Sequence, residues 1–417
     1  MRMDNRMNYY DIRMKDICMA MDAHEIQEKK VICLIASTNV VSPAVRKLMD
    51  TDMINRVAEG KDGDSLLPGA DLFYTIDKMG RAEVEKIFRA EFADLRPISG
   101  SQANHIVYQA LTKPGDTIII PSIRSGAHVS MSGKVSREMR GLRFIYTKNL
   151  AESLLIDQMD LLDKINKYHP AMLFLGGSVI TEWQNLQQSV DAIHALGGIV
   201  VFDASQVAGL IATDSFPNPL DYGVDVMTMT TCKTLPGPSH AWIMGKRCYQ
   251  KQIEDTIFPG YVSGGHLQEH VGAIYALYEI CKYGSAYGKT IIRNSRILGQ
   301  ELEEGGFKFI RTKDGELTNT QQLIAYGHKS VDIRTIEDRL LNIHILLNKN
   351  LLPEEGFVKY GIRIGAQEIT RQGVTEEQIH QIGDLINRYL TEKKPNLEWY
   401  REQVAQIKQA FRGYQFV

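Results

Sequence analysis

The chain of 417 residues has no CxxC pair, and its five cysteines (Cys18, Cys33, Cys232, Cys248 and Cys281) are scattered and odd in number. That spacing supports neither a disulfide framework nor a zinc site, so no metal is expected. Free thiols suit a reducing compartment, and a cytoplasmic protein is expected. No apolar run reaches the roughly 18 residues that a membrane span needs. The opening stretch, MRMDNRMNYYDIRMKDICMAMDAH, is Met-rich but salted with charge, and it lacks the apolar centre of a signal peptide. The formal net charge is only −2, which leaves no general field toward nucleic acid or an anionic membrane. No internal repeat or low-complexity tract breaks the chain. What remains is 44% hydrophobic and 24% charged, the profile of a globular protein long enough for two domains.

Between about residues 80 and 290, short β-branched runs alternate with helical stretches, the pattern of a parallel α/β sheet. The clearest strands are DTIIIPS (116–122), AMLFLGG (171–177), GGIVVFDAS (197–205) and DVMTMTT (225–231). In DQMDLLDKINKYH (157–169), Leu161, Leu162 and Ile165 fall on one helical face. HVGAIYALYEICKYG (270–284) reads as a helix ended by glycine. Beyond about 290 a charged helix leads into short strands and the helix TEEQIHQIGDLINRYLTE, a smaller α+β lobe. The expected organisation is an N-terminal arm over 1–40, a large domain over 41–290 and a small domain over 291–417.

Four stretches could carry chemistry. In RPISGSQANHIVYQALTKPGD (96–116), Ser99-Gly100-Ser101 stands just before a helix. Hydroxyls, a glycine that allows close approach and the first N–H groups of a helix can hold a phosphate; a plain Ser-Gly N-cap is the alternative. Asp203 ends the apolar run Ile199–Phe202, and the C-terminal tips of buried parallel strands form crevices. It could equally be a structural carboxylate. Lys233 lies at the end of the next strand, where a partly desolvated amine becomes nucleophilic; the ordinary alternative is a surface lysine. Arg363 alternates with Ile362 and Ile364, so its fork could point inward and clamp a carboxylate or lie in water on an edge strand. A phosphate anchor, an acid for a pyridine nitrogen and an amine for an aldehyde together are what pyridoxal 5′-phosphate requires.

On these residues and others the chain resembles serine hydroxymethyltransferase, a fold-type-I pyridoxal-phosphate enzyme, over most of its length. The matching pieces include LIASTNVVSPAV (34–45), AEG (58–60), SGSQANHIVYQALTKPGDT (99–117), SGAHVSMSG (125–133), GGS (176–178), VVFDASQVAGLIA (200–212), TTCKTLPGP (230–238), FPGYVSGGHL (258–267), NKN (348–350) and YGIRIGAQEITRQG (360–373). The resemblance implies a large domain with a mostly parallel sheet and a smaller C-terminal α+β domain. It implies that Lys233 carries the cofactor covalently, that Asp203 pairs with the ring nitrogen, and that Ser99, Gly100 and Ser101 bind the phosphate. His128 would stack on the ring, with Ser178 near the ring's phenolic oxygen. Arg363 with Ser37 would hold the substrate carboxylate. Glu59 would handle the hydroxyl proton. Glu59 and the Gly264-Gly265 pair would come from a neighbouring subunit, making a homodimer with a shared site.

The chain also departs from the family pattern. Gln206 stands where the family has a histidine contacting the cofactor, and it can still donate a hydrogen bond. Cys232 replaces a histidine before the lysine, and Ser239 replaces an arginine. Val57 and Leu66-Leu67 replace hydrogen-bonding tyrosines, and residues 61–80 are expected as a rebuilt loop. A polar partner of each lost tyrosine would be left unsatisfied at about 1–3 kcal/mol. The expectation is therefore an enzyme that makes or breaks the Cα–Cβ bond of a β-hydroxy amino acid without folate, in specialised biosynthesis. The alternatives are decarboxylation, β-elimination or oxygen-dependent oxidation on the same scaffold, or a non-catalytic paralogue. Neither nucleic acid nor membrane is an expected partner.

Overall fold

The computed structural model describes residues 4–61, 64–132, 138, 140–353 and 359–417. The alternating runs form a seven-stranded sheet: β1 (Phe92–Asp94), β2 (Thr117–Ile120), β3 (Arg143–Tyr146), β4 (Met172–Gly176), β5 (Ile199–Asp203), β6 (Val226–Cys232) and β7 (Pro236–Gly245). Their spatial order is β1-β7-β6-β5-β4-β2-β3. Strands β3, β2, β4, β5 and β6 are mutually parallel, and β7 runs antiparallel to both β6 and β1. Leu173, Phe174, Val200 and Val201 are fully buried although successive residues face opposite sides. Helices cover both faces of this sheet, so its central strands read as unbroken apolar runs.

Pro236 pairs with Cys232, so residues 233–235 are the tight tip of the β6–β7 hairpin. The Pro-Gly-Pro that follows Lys233 is therefore the start of a strand, with a register shift before Ala241. No helix among the described residues is long and apolar enough to cross a membrane.

Helix α1 (Asp4–Glu28) leaves Tyr9, Ile12 and Ile17 exposed. Past it, Ile32–Cys33 pairs with Ile345–Leu346, and Ile32 and Leu34 enter the core of the C-terminal lobe. Helix α2 (Asp71–Phe88) corrects the expectation of one loop over 61–80. Only residues up to Ala70 are irregular: Gly60–Lys61 pairs with Asp64–Ser65, and 62–63 lie outside the described residues. Phe73, Tyr74, Asp77, Gly80, Val84 and Phe88 are buried at helical spacing, and the helix begins just after a turn at Pro68-Gly69. Helix α3 (Gly100–Leu111) opens toward the strand tips.

Helices α4 (Leu267–Cys281) and α5 (Ser285–Gly305) lead to the second lobe. Helix α5 gives Tyr287 and Ile291 to the first core, and Leu298 and Leu302 to the second. That second core lies under an antiparallel sheet of β8 (Phe307–Phe309), β9 (Gln322–His328), β10 (Asn348–Leu351) and β11 (Tyr360–Gly365), ordered β8-β9-β11-β10. The short helix α6 (Gln367–Arg371) and α7 (Glu376–Thr391) follow, the latter begun by a Thr375–Gln378 capping box.

Candidate active site

Three backbone features converge. Ser99 holds an extended conformation before α3, and its Oγ accepts from Gln102 N at 3.2 Å. Asp203 ends β5, and the β6–β7 hairpin presents Lys233. Around them lies a cavity of about 140 Å³ lined by Ser99, Gly100, Ser101, His128, Gly177, Asp203, Ser205, Thr230, Lys233 and Ser239. Gly100 is required by space: a Cβ there would sit 2.6 Å from Thr230 Cγ2.

The cavity's polar groups are held from behind. Asp203, 2% exposed, accepts from Asn104 Nδ2 at 3.0 Å and from Ser205 N at 3.0 Å. Asn104 also reaches Ser130 Oγ at 3.0 Å, and its Oδ1 accepts from Thr228 Oγ1 at 2.7 Å. Ser130 Oγ lies 2.8 Å from His128 Nδ1, which completes a chain from the imidazole to the carboxylate. Burial lowers the His128 pKa, against the pull of Asp203. Lys233 is 9% exposed; burial lowers its pKa, Asp203 opposes that, and Arg363 adds to it.

Arg363 is buried, which lowers its pKa to about 10. Its guanidinium donates to Ser178 O at 2.8 Å, lies 3.4 Å from Asn348 Oδ1, and reaches Ser37 Oγ at 3.5 Å. No acidic side chain among the described residues pairs with it. A buried guanidinium held only by neutral oxygens is set to receive a carboxylate from outside.

A family model described as serine hydroxymethyltransferase matches residues 8–386. The chain belongs to the serine hydroxymethyltransferase family. It is 34% identical to the serine hydroxymethyltransferase of Archaeoglobus fulgidus, over 96% of this chain and 92% of that one. The Methanopyrus kandleri protein of that name is 34% identical, over 95% and 94% respectively. The one from Picrophilus torridus is 32% identical, over 99% and 96%. Serine hydroxymethyltransferases are fold-type-I enzymes that use pyridoxal 5′-phosphate, act on amino acids and are generally oligomeric.

Not every residue expected from that family lies in the cavity of this chain. Gln206 is 1% exposed, and its Oε1 accepts from Gln321 Nε2 at 3.1 Å; its neighbour Ser205 lines the cavity instead. Ser178 turns its carbonyl to Arg363 and to Gln322 Nε2, the latter at 2.9 Å. Glu59, Gly264 and Gly265 lie elsewhere. A Cβ on Gly264 would be 3.0 Å from Glu59 Cγ, so those two meet each other, and both glycines line a separate cavity of about 240 Å³. His240 also lines that second cavity, whereas Trp242 is fully buried in the sheet. Val57, Leu66 and Leu67 are exposed.

Asn104 was missed from sequence. Its signal was a lone amide on the apolar face of α3, beside Ala103, Ile106 and Val107 and one turn from Gly100. Asn348 and Gln321 carry no such local mark.

Proposed function

We propose that this family member makes or breaks the Cα–Cβ bond of a β-hydroxy amino acid and does so without tetrahydrofolate. The observation that carries the reading is the buried Arg363, paired with no acid among the described residues and close enough to the buried amine of Lys233 to lower its pKa. The cavity fits pyridoxal 5′-phosphate. A glycine admits close approach at the start of α3, two serine hydroxyls and uncapped N–H groups suit a phosphate, and Asp203 is a buried acceptor for a ring N–H. Bound there, the cofactor supplies an aldehyde for the amine and an electron-accepting ring for charge left on Cα.

The chain's own residues do the rest. Ser99, Gly100 and Ser101 hold the phosphate, and Lys233 offers an amine made easier to deprotonate by burial. Asp203, fixed by Asn104 and Ser205, keeps a proton on the ring nitrogen. His128, in the tautomer its Ser130 contacts select, would pack against the ring. Gln206 and Ser178 stand behind the cavity, where Ser205 and Gly177 line it in their place. Arg363 and Ser37 would take the carboxylate and, by orienting it, would fix which Cα bond is presented for cleavage. Glu59 accepts the hydroxyl proton.

Glu59 meets Gly264, and neither it nor the Gly264-Gly265 pair lines the cavity that holds Lys233, so we read them as serving the site of a second copy in a homodimer. The N-terminal arm, the large domain and a small domain beginning within α5 are its parts. The apolar Val57, Leu66 and Leu67 favour folate independence, since none can hydrogen-bond a pterin. The test is aldehyde release from L-threonine and L-serine with and without tetrahydrofolate. Release from L-serine that strictly requires tetrahydrofolate would sink the folate-free reading. No aldehyde from any β-hydroxy amino acid would sink the bond assignment.

A further inference from the structure

The segment Leu34–Asn39 carries Ser37 and is pinned at both ends. On the small-lobe side, Leu34 O accepts from Gly365 N at 2.8 Å, and a Cβ on Gly365 would strike Ala36 Cα at 2.5 Å. The fully buried Gln367 spends both hydrogens of its amide here, donating from Nε2 to Ile35 O at 2.7 Å and to Thr38 O at 2.7 Å. Those two carbonyls bracket Ala36 and Ser37. Its neighbour Glu368, also buried, accepts from Thr38 Oγ1 at 3.0 Å, and Cys33 Sγ lies 3.3 Å from the same hydroxyl. On the large-lobe side, Asn39 Nδ2 donates to the carbonyl of Lys233 itself at 2.6 Å.

Gln367 and Glu368 begin α6, directly after the strand that carries Arg363. One short piece of chain, Arg363 to Glu368, therefore bears the guanidinium and also grips the loop that bears its hydroxyl partner. We infer that Gln367 and Glu368 are positioning residues that hold Ser37 against Arg363, so that the two bind the substrate carboxylate as one unit.

This rests on the reading that Arg363 and Ser37 receive that carboxylate. A gripping amide inside a lobe interface could also be a packing device and nothing more. The two roles separate by ligand. A packing role weakens every ligand alike, whereas a positioning role for a carboxylate site weakens only ligands that have one.

Holoenzyme is titrated with L-serine and, separately, with ethanolamine, the same molecule without its carboxylate, following the visible absorbance of the bound cofactor. In Gln367→Leu and in Thr38→Val, the Kd for L-serine rises about tenfold, the size expected for one or two hydrogen bonds lost at 1.4 kcal/mol per decade. The Kd for ethanolamine stays within about twofold, since no lost contact bears on an amine. Glu368→Gln keeps an oxygen for Thr38 Oγ1 and behaves as wild type, while Glu368→Leu follows Thr38→Val. Equal weakening of both ligands overturns the inference, as does an unchanged Kd for L-serine. If Gln367→Leu fails to fold, the Thr38→Val and Glu368→Gln pair decides the matter alone. A wild-type enzyme that binds L-serine no better than ethanolamine refutes the carboxylate reading itself, a result visible before any variant is made.

Discussion

Replacing Gly100 with alanine sets two effects against each other. Gly100 is the first residue of α3, and alanine favours a helix over glycine by up to about 1 kcal/mol. The new Cβ would sit 2.6 Å from Thr230 Cγ2 and 3.4 Å from Ser205 Oγ. The second distance is ordinary contact, but the first is roughly 1 Å too short for two carbons. Overpacking of that kind costs typically 1–3 kcal/mol, so the net loss is about 0–3 kcal/mol in overall stability. The larger effect falls on the cavity. Thr230 and Gly100 both line it, and moving either distorts the proposed phosphate cradle. The expected result is a weakening of pyridoxal 5′-phosphate by about tenfold or more, at 1.4 kcal/mol per decade. Equilibrium dialysis of the apoenzyme against the cofactor measures it. The double variant Gly100→Ala with Thr230→Ser deletes the clashing methyl and keeps the hydroxyl, and it should return to within about threefold of wild type. Normal cofactor affinity in Gly100→Ala, or no recovery in the double variant, would refute the argument that space at this glycine shapes the site.

Arg363→Lys keeps the charge but loses the fork that spans Ser178 O and Asn348 Oδ1; steady-state kinetics should show KM for the amino acid raised about 10- to 100-fold with a smaller fall in kcat. Lys233→Ala and Glu59→Gln, each inactive alone, should recover about a quarter of wild-type activity when their subunits are exchanged one to one, because half the dimers are then hybrids with one intact site; no recovery would show that both residues act within one chain. Burial, reinforced by His270, lowers the His240 pKa to about 3 from the ordinary 6.5. The unfolded chain binds the extra proton first, so stability is fully present above about pH 6.5 and is lost as pH falls toward 3, by at most roughly 4–5 kcal/mol. Urea unfolding at pH 7 and pH 4 should show that His240→Gln flattens this acid loss.

Local sequence was informative wherever one element carried its own signal. The run Ile199–Phe202 announced a buried strand and placed Asp203 at its tip, and Ser99-Gly100-Ser101 announced a helix start. Lys233 was legible as the end of a strand, although the hairpin that projects it was not, because proline and glycine are depleted in strands and Pro236-Gly237 carries no pairing signal of its own. The loop expected over 61–80 rested on where the resembled family has one, and it overran the helix: Pro68-Gly69 does turn, but Phe73, Tyr74, Val84 and Phe88 beyond it recur at helical spacing and enter a core.

By itself the sequence determined the alternation of strands and helices, the parallel sheet and the tip positions of Asp203 and Lys233, since each follows from periodicity or capping within a dozen residues. Tertiary structure alone decided which side chains stand behind them. Asn104 under Asp203, Asn348 and Ser178 around Arg363, and Gln367 across Ser37 are partners separated by 15 to 332 positions. Hydrogen bonds reach about 3 Å, and only tertiary packing, within a lobe for Asn104 and Asn348 and between lobes for Ser178, brings such distant groups that close.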